Sequence, residues 1–156
     1  MSIAEALSVI AVSAAPVAEL RGGIPLALSL GFAPPAAFGL GTLGNLIPVL
    51  PLLFGFEWGE RHLRRWRPTA RGIDWILART RRKSRLITRF GGIGLVLLVA
   101  IPLPGTGVWT GAIAAYLVGI PMRRALPLIV LGMLVAAVLV LFASIGAFRL
   151  VGVPAV

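Results

Sequence analysis

The sequence predicts an all-α, polytopic membrane protein of two inverted repeats, each a re-entrant helical hairpin followed by a spanning helix. Three observations predict it. The first is composition: 58% of the 156 residues are hydrophobic, 13% are charged and mean hydropathy is +0.98. A soluble domain of this size could not cover such a surface with polar groups. The second is an internal repeat. Residues 16–44 and 104–132 align without a gap at an offset of 88, with eight identities in 29 positions: Pro16/Pro104, Gly23/Gly111, Ala27/Ala115, Gly31/Gly119, Ala37/Ala125, Leu40/Leu128, Leu43/Leu131 and Gly44/Gly132. Gly, Pro and Ala dominate that set, the types kept for backbone shape and close packing. The third is that each copy is broken at Pro and Gly inside apolar sequence, as in transport folds made of internal repeats.

One membrane domain, 1–156, divides into repeat one (1–56), a basic linker (57–85) and repeat two (86–148). At the N-terminus, Ile3–Ala18 is largely apolar, but no Lys or Arg precedes it and Glu5 sits where a signal peptide would be basic. Cleavage is not expected. Ile3–Ala15 and Gly22–Phe32 read as two short arms separated by Pro16 and Gly22-Gly23, with Pro25 in the first turn of the second arm. Pro34-Pro35 starts a spanning helix to about Phe56, about 33 Å long, kinked by Pro48 and Pro51.

Eleven of the 15 Lys and Arg fall between Arg61 and Arg89, ten of them in the linker. That placement reads as a cytoplasmic loop held by the positive-inside rule, not as a nucleic-acid surface, despite the net charge of +10. Trp58, His62, Leu63 and Trp66 share one helical face, and Ile73, Ile76, Leu77 and Thr80 share another, which suits the lipid headgroup layer. Arg79–Arg89 serves either as a topology anchor or as a site for anionic lipid. In repeat two, Pro102-Leu103-Pro104-Gly105-Thr106-Gly107 separates an arm of about Leu86–Ile101 from one of about Val108–Ile120. At roughly 20–24 Å each, neither spans a hydrocarbon core of about 30 Å. Ala125–Phe148 is long enough for one span. A hairpin also keeps the linker and Arg123-Arg124 on one side. Two conventional spans in place of each hairpin would instead make the repeats parallel.

Gly107, Gly111, Ala115 and Gly119 recur every four residues, as do Gly23, Ala27 and Gly31, a spacing that lets helices approach closely in lipid. The expected use is packing of each second arm on a spanning helix; a homodimer seam is the rival use.

The chemistry is expected at the two tips. Apart from Glu5, Glu19 is the only acid outside the linker, and Arg21 is the only base in the first 60 residues. Each charge costs about 2.5–3.5 kcal/mol at mid-membrane on insertion scales. Burial disfavours the charged carboxyl while a neighbouring guanidinium favours it, so the pair suits proton exchange near operating pH. A structural ion pair bracing the tip is the plainer use. Arg21, with the free N–H groups expected at Gly22 and Gly23, suits an anionic group. The opposing tip, Pro104-Gly105-Thr106-Gly107, also ends in a helix N-terminus. Thr106 and Thr110 add hydroxyls, Trp109 adds an amphipathic ring, and Asn45 bridges the tips or hydrogen-bonds a neighbouring helix.

At Pro16-Val-Ala-Glu-Leu-Arg-Gly-Gly-Ile-Pro25, Gly44-Asn45-Leu-Ile-Pro48 and Ile101-Pro-Leu-Pro-Gly-Thr-Gly-Val-Trp-Thr-Gly111, the chain resembles the putative small multidrug export protein family. The resemblance covers about Ala15 to Phe148, including Thr80-Arg-Arg-Lys-Ser84. That family is similar to the DedA-like superfamily, which implies two re-entrant hairpins, movement of lipids including polyprenyl phosphates in some relatives, and proton coupling. This chain has Gly23 where the family usually has Ala. DedA-like relatives place an acid in the first hairpin and an Arg in the second, whereas here both charges are in the first.

These readings combine into a multi-pass transporter of the plasma (inner) membrane, proton-coupled, moving a small amphipathic or anionic-headgroup molecule. The expected partners are membrane lipids, protons, the small-molecule or lipid substrate and a second copy in a homodimer. No nucleic acid, cofactor or metal is expected, since Cys is absent and His62 stands alone. No nucleophile with its base and no nucleotide loop points to an enzyme. The alternatives are a lipid or polyprenyl-phosphate flippase or scramblase, and a membrane organiser that transports nothing.

Overall fold

A computed structural model describes residues 2–55, 72, 75, 77–80, 85–103 and 105–150, and all regular structure among them is helical. Helix α1 (Ile3–Ala14) opens with a capping box: Ser2 Oγ accepts from the Glu5 backbone N–H at 3.2 Å, and Glu5 Oε2 accepts from the Ser2 N–H at 2.7 Å. Glu5 thereby has a structural use. A turn at 15–18 leads into α2 (Glu19–Ser29), which contains Pro25. Helix α3 (Pro34–Leu46) starts on its two prolines. The chain turns at Ile47-Pro48 and resumes helix to Gly55, in keeping with the expected proline kink. After the basic linker come α4 (Arg85–Ala100), α5 (Val108–Val118) and α6 (Met122–Leu150).

Among the described residues, two helical stretches are long and apolar enough to cross a membrane, Pro34–Gly55 with 22 residues and Met122–Leu150 with 29. On α6, Ala125, Ile129, Gly132, Met133, Ala136, Ala137 and Val140 are buried. Leu131, Leu134, Val135, Val138, Leu139 and Phe142 face outward. A long helix that is apolar on its packed and its outward face suits lipid rather than water.

Three boundaries differ from expectation. Helix α2 begins at Glu19, so the Gly22 N–H is not free: it donates to the Ala18 carbonyl at 3.0 Å. Glu19 and Arg21 therefore stand in the first turn of a helix, and Glu19 has φ of 49°. In the second half, α4 is broken at Gly91 (φ 58°, ψ −135°), which leaves a straight stretch of only residues 92–100. Helix α6 runs beyond the expected Ala125–Phe148 at both ends, with Arg123 and Arg124 in its first turn. The face of Trp58, His62, Leu63 and Trp66, like Ile73 and Ile76, lies outside the described residues; Leu77 and Thr80 are buried, and Arg79 sits over the Trp75 ring at 5.6 Å.

Helix α1 packs on α2 and α3, α4 packs on α5 and α6, and both α2 and α3 reach α6. Residues matched at the offset of 88 take matched places. Gly31 (φ 83°) and Gly119 (φ 75°) end α2 and α5, and the next residue's N–H returns to Ala27 in one case (3.0 Å) and Ala115 in the other (2.9 Å). A Cβ on Gly44 would come within 2.5 Å of the Ile10 carbonyl oxygen in α1; one on Gly132 would come within 2.7 Å of the Val96 carbonyl oxygen in α4. Gly23 is pressed on Ser13 and Gly111 on Val99. Gly23 and Gly111 thus each meet the preceding helix, α1 and α4, while Gly107 meets Glu19 on α2 and the second arm α2 also packs on the long α3. Without side chains at these positions, backbones meet and dispersion contacts replace what the hydrophobic effect does not supply in lipid.

Candidate functional site

The turn at 15–18 and the loop at 101–107 meet, and three side chains cross between them. Glu19, only 4% exposed, turns its carboxylate onto the start of α5. The Trp109 backbone N–H donates to Glu19 Oε1 at 3.4 Å, and the Val108 N–H faces the same group. A carboxylate there meets unpaired helix N–H groups and the positive end of the helix dipole. Gly107 makes this possible. Its φ of 125° is closed to most side chains, and a Cβ would overlap the Glu19 carboxylate.

Arg21 reaches the same loop from the next residue pair along. Its Nη2 donates to the Thr106 carbonyl at 2.5 Å and to Thr106 Oγ1 at 2.9 Å, and its Nη1 donates to the Leu103 carbonyl. Glu19 Oε2 lies 4.0 Å from Arg21 Nη2, at the outer edge of an ion pair. The guanidinium is therefore held mainly by neutral oxygens, and its Nε is buried with no partner among the described residues. The third crossing runs the other way: Trp109 Nε1 donates to the Ala14 carbonyl at 3.2 Å.

Of the expected site residues, Glu19, Arg21, Thr106, Gly107 and Trp109 come together. Thr106 Oγ1 also donates to the Ile101 carbonyl at 2.7 Å and receives the Leu103 N–H at 3.2 Å, so one hydroxyl organises its own loop and meets Arg21. Thr110 Oγ1 bonds instead to the Gly105 carbonyl at 2.9 Å, within the same tip. Gly22 and Gly23 face α1, against Val12 and Ser13. Asn45 is 1% exposed on α3, and its Oδ1 has no partner among the described residues; it does not bridge the tips by a hydrogen bond. Pro104 lies outside the described residues. Sequence reasoning missed the carbonyls of Ala14 and Leu103, which carry no side-chain signal. It also missed a groove of about 410 Å³. Arg21, Pro25 and Pro102 form one wall of this groove, and the 139–148 stretch of α6 forms the other, with Ser144 its polar member.

A buried acid on a helix start and a half-buried base on the adjoining loop join the two halves, and two apolar helices long enough to cross a membrane make this a helical membrane protein. Residues 19–139 match the family model described as "Putative small multi-drug export protein", most of the chain, and the chain belongs to that family. No curated protein and no solved structure matches it.

Proposed function

We propose that this chain is a multi-pass transporter of the plasma (inner) membrane, not an enzyme, which moves a small amphipathic or anionic-headgroup molecule coupled to protons. In this reading α1–α2 and α4–α5 are re-entrant hairpins entering from opposite faces, as the family's resemblance to the DedA-like superfamily would imply. Lengths support it. Helices α1, α2 and α5 have 12, 11 and 11 residues, or roughly 16–18 Å each, against about 30 Å of hydrocarbon. The family description supports export as the activity.

The observation that carries the reading is the seat of Glu19. Its carboxylate, from the first half, occupies the helix start of the second half. Taking up a proton removes the anion from that helix end, an interaction of about 0.3–2 kcal/mol. Losing the proton restores it. Protonation of one side chain therefore alters how firmly the two halves hold each other, which is what a coupled transporter needs. The positive φ of Glu19 fits a site kept for function, since such backbone costs of order 1–3 kcal/mol.

Proton flux in proteoliposomes tests this. The wild-type chain is expected to carry protons above the protein-free background. Glu19→Gln, with unchanged helical content, is expected to fall to that background. No flux from the wild-type chain would sink the transporter reading; full flux from Glu19→Gln would sink the proton role.

A further inference from the structure

We infer that the groove beside Arg21 takes a single-chain amphiphile with an anionic headgroup, and that the headgroup displaces the Leu103 and Thr106 carbonyls from Arg21, opening the contact between the two tips. This rests on the reading of the tips as the working site and adds to it a substrate class and a coupling step.

Two observations meet at Arg21. It forms part of the groove wall, and the same side chain holds the second tip through Leu103 and Thr106. The remaining lining is apolar apart from Ser144, with Leu139, Val140, Ala143, Ala147 and Phe148 on one stretch of α6. One guanidinium in an otherwise apolar groove is the complement of a charged head on one apolar chain. Ser144 already donates to the Val140 carbonyl at 2.7 Å, so Arg21 is the group in the groove with charge to offer.

Arg21's present acceptors are neutral oxygens, and Glu19 lies at 4.0 Å with its carboxylate turned to α5. The bonds from Arg21 to these carbonyls already carry the donor's charge, but a carbonyl brings only a dipole, whereas an anionic head brings a full opposite charge and can accept from both arms of the guanidinium at once. On that added attraction an anionic head arriving from the groove outcompetes the carbonyls. Pro102 and Leu103 adjoin, so the headgroup would enter where the tip loop is already tied. Once Arg21 turns to the ligand, the side-chain crossings left between the tips among the described residues are those of Glu19 and Trp109.

The chain has no Cys, so Val17→Cys with Leu103→Cys gives two spin labels on exposed positions, one on each tip. In phosphatidylcholine nanodiscs, dodecyl phosphate is expected to lengthen the distance between them, saturably. Dodecyl maltoside and inorganic phosphate are expected to leave it unchanged. Ala143→Trp fills the groove from its exposed wall, and should weaken the dodecyl phosphate effect at least tenfold while the unliganded distance stays the same; Ala147→Trp is the second variant should the first fail to fold. An unchanged distance with dodecyl phosphate overturns the inference. So does an equal response to inorganic phosphate, which would mean an anion site without the groove, or to dodecyl maltoside, which would mean a groove without the charge. The measurement uses no proton gradient, so a distance response without proton flux would leave this inference standing and the transport reading sunk, and flux without the response would do the reverse.

Discussion

Gly107 holds open the space that the Glu19 carboxylate fills. A Cβ at residue 107 would fall on both carboxylate oxygens, and its φ of 125° already excludes most side chains. The two residues belong to different halves of the chain, 88 positions apart, so the acid and its receptacle are one feature written in two places.

Gly107→Ala is therefore expected to destabilise by about 1–3 kcal/mol through backbone strain alone, with a further loss from displacing Glu19. A double-mutant cycle with Glu19→Ala separates the two, because removing the carboxylate relieves the overlap and leaves the strain. Thermal unfolding in detergent reads both. Strict additivity would mean that the two residues do not meet.

Thr106→Val should cost about 1–3 kcal/mol, since it removes a part-buried acceptor of the charged Arg21 and the acceptor of the Leu103 N–H. Thr106→Ser keeps the hydroxyl and should stay close to wild type. The comparison of the two melting temperatures is the check. Equal losses would assign the effect to the methyl group instead.

How much of this was legible in the sequence depends on which atoms carry each part. The short arms, both long helices and the kink near Pro48 came from Pro and Gly placement, because backbone breakers act locally. The meeting of Glu19 and Arg21 with Thr106, Gly107 and Trp109 followed from a rule of scarcity: a chain this apolar places few charges, and each needs a partner. The details failed where the partner is backbone. Nothing in the letters of Leu103 or Ala14 shows that their carbonyls take Arg21 and Trp109. The break at Gly91 falls inside the expected arm of about Leu86–Ile101, where nothing in the sequence marks it, since a positive φ shows only in three dimensions. The wall of the groove on α6 is drawn from residues common in any membrane helix, so no signal marked it.

Gly31→Ala and Gly119→Ala form a matched pair. A Cβ at either position meets nothing within 4 Å, so only the left-handed backbone resists it. Each should cost about 1–2 kcal/mol, and the two losses should be similar because the C-terminal hydrogen bonds are the same at both sites. Unfolding of the two single variants measures this. A large loss at one and none at the other would mean that the two helix ends are not equivalent.

The last expectation concerns the membrane itself. Val17, 94% exposed at the first tip, and Ala33, exposed just before α3, are placed differently by the two possible topologies. If α1 and α2 each crossed fully, Val17→Cys would react with an impermeant thiol reagent from the face opposite Ala33→Cys. Helices of 12 and 11 residues reach only a little over half-way, so Val17→Cys should not react from that far face at all. Leu103→Cys, at the second tip, should likewise be closed to the face opposite Pro121→Cys. Rapid modification of Val17→Cys from the far side would show α1 and α2 to be true spans. The Glu19 carboxylate would then lie near an aqueous surface, where its contact with α5 would be screened by salt and worth little to coupling.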